Sequence, residues 1–310
     1  MLPGFLLMLT LSWFYVAYGI RSPLFQAIFL GMQPAVAALI VRAVQRIGAH
    51  ALHNNRWLWG IAVMAGVAQL LDANFLITLL AAGFTYALVQ RGNMKWAFGI
   101  GFAIAAWLIG TGIGLVASLS AQTTAAPSVT TTSSPVPGDL LLSGLRAGLL
   151  TFGGAYTVIP FLQQDAVQTG AWLTNAQFLD GLALSGLLPA PLIIFSTFVG
   201  YLGGGLLGAL AITIGIFTPA FAFTMIGHDY VERLVENRSI HAFLDGVTAG
   251  VVGLIAATAL GILSETVIGI HAWIVFALAL LTLFKSQAKW TIAAIILSAG
   301  LYGLLFLSGG

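Results

Sequence analysis

Long apolar stretches separated by short polar ones run through the whole chain. They lie near residues 2–20, 24–41, 57–71, 74–90, 96–119, 140–160, 178–195, 197–217, 219–227, 240–264, 272–284 and 290–307. Several of them reach the roughly 20 residues that an α-helix needs to cross a bilayer. A membrane β-barrel would show short alternating segments instead. The pattern therefore predicts an all-α polytopic membrane protein.

The composition supports this prediction. Hydrophobic residues make up 59% of the 310 residues and charged residues only 6%, whereas a soluble domain carries about 25% charged residues. The net charge of +2 is small and spread along the chain, so we expect membrane lipid around the protein and no nucleic-acid partner. The absence of cysteine excludes disulfides. The 37 glycines suit close helix packing and interrupted helices in a membrane.

One polar segment divides the chain. Residues 120–138 are rich in Ser, Thr and Pro and carry no charge. Such a composition is typical of a flexible extramembrane linker. We therefore predict an N-terminal membrane half at 1–119, a linker at 120–138 and a C-terminal membrane half at 139–310.

The two halves contain an internal repeat. "LPGFLLMLTL" (2–11) resembles "TPAFAFTMIG" (218–227), and Gly31 and Val36 match Gly246 and Val251, with an offset of 215 or 216 positions throughout. In the second copy a long segment precedes Pro219. In the first copy about 73 residues of the corresponding segment are missing. We therefore expect the N-terminal half to be incomplete.

Basic residues test the orientation of the copies, because loops rich in Lys and Arg stay in the cytoplasm. In the first copy they concentrate at 42–56 and 91–95. In the second copy they concentrate at 233–238 and 285–289, in loops that match the poorly basic ones of the first copy. Parallel copies would keep the same loops basic, so the swap predicts an inverted-topology repeat.

"GLLTFGGAYTVIP" (148–160) predicts an interrupted helix inside the membrane. A break at membrane depth is tolerated only where protein or a water-filled cavity satisfies the backbone, and transporters use such breaks to aim helix N-termini at anions. Gly153 and Gly154 would expose main-chain N–H groups, and Thr151 and Thr157 would add hydroxyls. Arg146 is a candidate cation for an anion, with an interfacial arginine that extends to the head groups as the alternative.

"LSGLLPAPLIIFSTFVGY" (184–201) predicts a second interruption at Pro189 and Pro191, because a proline cannot donate to the preceding turn. A simple loop between two spans is the alternative. Hydroxyls close to this segment come from Ser185, Ser196 and Thr197. Two local features accompany it: a capping box at Thr174 and Gln177 that starts a helix near Asn175, and a close-packing face of Gly200, Gly204 and Gly208.

Few charged residues are candidates for chemistry. Asp180 lies among apolar neighbours and is a candidate for proton coupling, with a solvated position near the interface as the alternative; Asp245 and Glu265 are weaker candidates of the same kind. His50 and His53 lack an evident third ligand, so no metal site is expected. No Ser/His/Asp or phosphate-loop pattern is present. We expect neither an enzyme nor a cofactor.

The segments "GLLTFGGAYTVIPFLQQDAV" and "GLLPAPLIIFSTFVGYLGGG" together resemble the chromate ion transporter family. Members of this family contain two homologous membrane halves, and each half has an FGG segment and a PGP segment. Residues 140–310 match the second half, and residues 1–119 resemble the later part of a first half. The FGG positions are Phe152, Gly153 and Gly154. The PGP positions are Pro189, Ala190 and Pro191, where alanine replaces the usual glycine and weakens the case for close backbone contact.

The resemblance implies export of chromate, a tetrahedral dianion similar to sulfate, across the bacterial inner (plasma) membrane. It also implies proton motive force as the driving force, sulfate exchange, and chromate resistance as the outcome. Transport of sulfate-like anions is an alternative, and a homodimer is left open. The substrate-binding candidates are Arg146, Thr151, Phe152, Gly153, Gly154, Thr157, Ser185, Pro189, Ala190, Pro191 and Thr197. The rival hypothesis is a truncated or mis-started family member that is inactive or needs a partner chain.

Overall fold

The structure is a computed structural model that describes residues 2–19, 22–52, 55–71, 73–93, 99, 135–151, 155–225, 237–286, 288 and 290–307. These residues form eleven α-helices and no strand, which confirms the all-α class. Their bounds are α1 Leu2–Phe14, α2 Pro23–Ala51, α3 Arg56–Leu70, α4 Phe75–Gln90, α5 Pro137–Leu149, α6 Val158–Gln163, α7 Asn175–Leu187, α8 Phe195–Met225, α9 Arg238–Thr266, α10 Ile270–Lys285 and α11 Thr291–Phe306. Most of the predicted linker lies outside the described residues.

In the described part of the chain, four helical stretches are long and apolar enough to cross a membrane: Leu2–Gly19, Pro23–Ala51, Leu192–Met225 and Arg238–Thr266. Large apolar side chains are also exposed on the shorter helices; Leu278 and Leu281 of α10 are 60% and 59% exposed. A water-soluble surface rarely carries so many exposed leucines together, whereas a lipid-facing surface requires them. The protein is therefore an all-α membrane protein.

Helix α2 is longer than the apolar pattern predicts. The predicted span ends at residue 41, but the helix continues to Ala51. The guanidinium of Arg42 lies 4.4 Å from the centre of the Phe284 ring, and Arg46 is exposed. Arginine is a good helix former, so charged residues end the apolar span without ending the helix.

The structure in and just before α8 differs from two predictions. The predicted span 178–195 does not exist as one helix, because α7 ends at Leu187 and α8 begins at Phe195. Within α8, Gly204 and Gly205 leave helical geometry, and Gly205 has a φ of 61° that suits glycine. The chain therefore forms two arms, 195–203 and 206–225. A side chain on Gly200 would collide with the carbonyl of Gly208, so these two glycines pack across the turn and Gly204 belongs to the turn itself.

The helix lengths agree with the predicted repeat. Helices α2 and α9 both have 29 residues and begin 215 positions apart. Helices α3 and α10 have 15 and 16 residues, and α4 and α11 both have 16. The orientation of the copies in the membrane stays a prediction.

One pair of matching glycines makes equivalent contacts in both copies. A side chain on Gly31 of α2 would collide with backbone atoms of α11 at Ala299 and Gly303. A side chain on Gly246 of α9 would collide in the same way with α4 at Ala82 and Gly83. The second helix of each copy therefore packs, at its matching glycine, against the last helix of the other copy.

The chain forms two compact units. One contains Met1–Gln45, Thr132–Ile226 and Ala259–Gly310, and the other contains Arg46–Thr131 and Gly227–Thr258. The second unit has an apolar core that includes Leu58, Ile61, Ala249 and Val252. All residues of the candidate site described next lie in the first unit.

Candidate functional site

The first predicted break is present, and helical structure is absent at Thr151. Helix α5 ends at Leu149, and regular turns resume with a 3₁₀ turn at Ala155–Thr157 that leads into α6. The hydroxyl of Thr151 donates to the carbonyl of Ala147, so it satisfies the end of α5. The FGG residues Phe152, Gly153 and Gly154 lie outside the described residues.

The second predicted break is an interruption between two helices. After α7 the backbone is extended, with ψ values of 141° at Leu188 and 138° at Pro191. A 3₁₀ turn at Leu192–Ile194 then leads into α8. Pro189 and Pro191 are exposed and Ala190 is half-buried. A side chain on Gly4 would place its Cβ 2.9 Å from the Cβ of Ala190, so the start of α1 lies directly against this break.

The two breaks meet each other. The 3₁₀ turn Ala155–Thr157 packs against the 3₁₀ turn Leu192–Ile194, and Thr157 and Ile194 are 0% and 1% exposed. Each turn begins a helical segment, and the first N–H groups of such a segment have no acceptor within it. The positive ends of two helical segments therefore lie side by side.

Three hydroxyls lie close to the second break in sequence, and they differ in their partners. Ser185 Oγ donates to the Leu182 carbonyl at 3.1 Å, and Thr197 Oγ1 pairs with Thr213 Oγ1 at 2.9 Å. Ser196 Oγ is fully buried and has no hydrogen-bond partner among the described residues. A buried hydroxyl without a partner is unusual and costs free energy. Such an atom in the first turn of α8 is a vacant donor next to the meeting point of the breaks.

Asp180 is buried and not solvated, so the alternative of a solvated carboxylate is wrong. It is 6% exposed, and its two oxygens accept from Tyr15 Oη at 2.7 Å and Gln33 Nε2 at 3.1 Å. Tyr15 lies in a π-helical turn, Tyr15–Gly19, that extends α1, and its ring packs edge-on against Phe198 at 5.0 Å. The capping box at Thr174 and Gln177 is confirmed, with both reciprocal hydrogen bonds, and it fixes the start of the helix that carries Asp180.

Sequence reasoning did not select Ser196, Tyr15 or Gln33. Ser196 lies beside the second break in the sequence, but nothing distinguishes its hydroxyl from that of Thr197. Tyr15 and Gln33 lie 165 and 147 positions before Asp180. Only folding brings them together, and no spacing in the sequence indicates the contact.

Arg146 is exposed on α5, whereas Thr157, Ser185 and Thr197 are fully buried. Its charge acts on Asp165, which follows α6 in the π-helical turn Gln164–Thr169. Burial raises the pKa of the Asp165 carboxyl, and a 2.6 Å hydrogen bond from Ser143 Oγ and the Arg146 charge act in the opposite direction. The position of Arg146 suits attraction of an anion from a distance more than a direct contact.

The remaining charged candidates lie elsewhere. Asp245 Oδ2 lies 3.2 Å from His241 Nδ1 on the surface of α9. Glu265 Oε2 accepts a hydrogen bond from Asn175 Nδ2 at 2.5 Å. Among the described residues, no group of three or more His, Asp or Glu side chains could hold a metal ion. His53 lies outside the described residues.

Comparisons with known proteins agree with one another. A family model described as "Chromate transporter" matches residues 1–88 and 138–304. A chromate transport protein of Pseudomonas aeruginosa is 48% identical, over 98% of this chain and 73% of that protein. A chromate transport protein of Cupriavidus metallidurans is 29% identical over 98% of this chain and 72% of that protein, and a probable one of Synechococcus elongatus is 28% identical over 99% and 75%. No solved structure matches significantly.

Proposed function

The chain belongs to the chromate transporter family, and from that premise we propose that it exports chromate across the bacterial inner membrane and thereby confers resistance to it. The meeting of the two breaks supports this proposal. Two helical starts and a vacant buried hydroxyl, Ser196 Oγ, provide donors for a tetrahedral oxyanion without a dedicated cage of cations.

The charge of the anion, compared with the positive charge at the breaks, favours coupling of transport to an ion. Each helix start carries at most roughly half an elementary positive charge, so two starts offset at most about half of the charge of a dianion. The remaining charge needs hydroxyl donors, a cation or a proton. We propose proton motive force as the energy source, with Arg146 attracting the anion toward the breaks.

Sulfate is the second candidate substrate, because it has the same shape and charge as chromate. The donors at the breaks recognise tetrahedral oxygen atoms and provide no feature that separates the two ions. Everted membrane vesicles test both ions at once: chromate uptake driven by a proton gradient is expected, with competition by sulfate. Absence of chromate uptake in vesicles that contain the folded protein would contradict the proposed function.

Replacing Arg146 with alanine is expected to raise the KM for chromate by about fivefold with little change in maximal rate, because an exposed charge contributes modestly and over a distance. High salt should remove the difference, since it screens the attraction. Arg56→Ala, which removes another exposed arginine, serves as the control. A loss of maximal rate would instead place Arg146 in direct contact with the anion, and an unchanged KM would exclude the steering role.

A further inference from the structure

A single carboxyl group lies in the middle of α7, and the described helices packed against α7 carry no positive charge. The helices packed against α7, namely α1, α8 and α11, contain no Asp, Glu, Lys, Arg or His. The titratable groups of α1 with its π turn, α8 and α11 are the tyrosines Tyr15, Tyr18, Tyr201 and Tyr302. On α2, Arg42 lies nine positions beyond Gln33, roughly 14 Å along the axis. Within the described part of the chain, no ion pair involves Asp180.

This arrangement makes Asp180 different from a structural ion pair. Tyr15 and Gln33 stabilise a carboxylate through hydrogen bonds, but neither neutralises its charge. A buried carboxylate without a counterion is costly in a membrane, and uptake of a proton removes that cost. The site is therefore suited to hold one proton reversibly.

A cleft lies next to the Gln33 partner of this carboxyl. Gln33 forms part of the wall of a cleft of about 320 Å³, whose other polar wall residues include Glu265, His271 and Tyr302. Glu265 and His271 are exposed, so the cleft reaches the protein surface. At about 30 Å³ per molecule, the cleft has room for several waters. Gln33 links the cleft wall to Asp180 through one hydrogen bond.

A residue of the cleft wall also binds the beginning of α7. Asn175, the first residue of α7, donates from Nδ2 to Glu265 Oε2 at 2.5 Å. Within the cleft, His271 Nδ1 and Tyr302 Oη lie 2.7 Å apart. The helix that carries Asp180 is thus anchored at its first turn by a cleft residue and at its centre by Tyr15 and Gln33.

We infer that Asp180 is the group that binds the coupling proton, that the cleft of Glu265, His271 and Tyr302 is its aqueous route, and that Gln33 is the barrier between them. The inference rests on the proposed function in one respect, namely that transport is coupled to protons. The basic loops predict that the 267–269 turn, which borders the cleft, faces away from the cytoplasm. A proton entering there moves opposite to an exported anion.

The chemical step is a proton transfer without redox change. A hydronium ion in the cleft gives its proton to the Asp180 carboxylate, which leaves water and a neutral carboxylic acid. A protonated Oδ1 carries an O–H that donates to Gln33 when the amide turns its carbonyl oxygen toward it. Protonation of Oδ1 therefore reverses the direction of the hydrogen bond between α7 and α2. The Gln33 amide then has one orientation for each protonation state of Asp180.

Asp180→Asn in proteoliposomes separates coupling from transport. Asparagine has nearly the shape of the neutral acid but cannot bind a proton. The variant is expected to lose stimulation of net chromate transport by a pH gradient and to retain chromate exchange when the anion is present on both sides. Asp245→Asn, which changes a carboxylate on the surface of α9, should keep both activities. Retained stimulation, or loss of exchange together with stimulation in a folded variant, would overturn the inference.

A second readout does not depend on chromate. Infrared difference spectra of the purified protein between acid and neutral pH should contain a carboxylic acid band that is missing in Asp180→Asn and present in Asp245→Asn. Absence of chromate exchange in the wild type with this band present would overturn the proposed function alone. A band that persists in Asp180→Asn would overturn the proton site alone.

The cleft is tested by chemical labelling. Because the native chain has no cysteine, Ala272→Cys in the cleft wall and Ala288→Cys, an exposed position after the end of α10, give single labelling sites. A bulky thiol reagent at position 272 should block stimulation by the pH gradient and spare exchange, whereas labelling at position 288 should change neither. Unchanged stimulation after complete labelling at position 272 would exclude the cleft as the proton route.

Discussion

Ser196→Ala is expected to lower chromate transport by roughly 10- to 100-fold, because a hydrogen bond to a charged group contributes about 1.5–3 kcal/mol. The same change should leave the folded protein as stable as the wild type or more stable. The reason is that Ser196 Oγ is fully buried without a partner among the described residues, and removing such a group relieves a desolvation cost of about 1–3 kcal/mol. Transport in vesicles and thermal unfolding of the purified variant measure the two effects.

Opposite signs of the two effects distinguish a binding residue from a structural one. Ser298→Ala is the matched control, because Ser298 Oγ already donates to the Ile295 carbonyl at 2.9 Å in the middle of α11. It should change neither transport nor stability by much. If Ser196→Ala transported chromate at the wild-type rate, the vacant hydroxyl would not belong to the substrate site.

Gly144→Leu is expected to eliminate most of the folded protein. A Cβ at Gly144 would lie 2.5 Å from the Ile212 carbonyl oxygen and 3.1 Å from the Ile216 amide, so α5 and the second arm of α8 could no longer pack at their present distance. Overpacking against rigid backbone costs about 1–3 kcal/mol or more, and leucine adds three carbons beyond the Cβ. Size-exclusion chromatography of detergent extracts measures the folded fraction.

Gly138→Leu is the control for this prediction because it lies on the same helix. Nothing lies within 4 Å of a Cβ built at Gly138, so the yield should stay near that of the wild type. Equal yields for the two variants would show that contact between α5 and α8 is not needed for folding. The effect also bears on function, since these helices adjoin the first and second breaks.

Local signals in the sequence predicted the elements that depend on neighbouring residues. The capping box of Thr174 and Gln177 gave the correct first residue of α7, and the prolines at 189 and 191 gave the correct second interruption. The matching residues of the repeat lie in helices of equal length, α2 and α9. In each case a few adjacent side chains or a fixed offset determine the structure.

Features that depend on tertiary contacts could not be predicted. The turn at Gly204 and Gly205 looks like a packing face in the sequence, because both need glycine at short intervals. The partners of Asp180 come from α2 and the turn after α1, far away in the chain. The exposure of Arg146 depends on which face of α5 packs against α8.

The central claim is that two interrupted helices meet to bind an oxyanion, and equilibrium binding of chromate to the purified protein tests it most directly. Because the native chain has no thiol, oxidation of cysteine by chromate does not interfere. The account predicts a single class of saturable sites that sulfate displaces, with affinity strongly reduced in Ser196→Ala and unchanged in Ser298→Ala. Saturable binding with equal affinity in the wild type and in Ser196→Ala would contradict it.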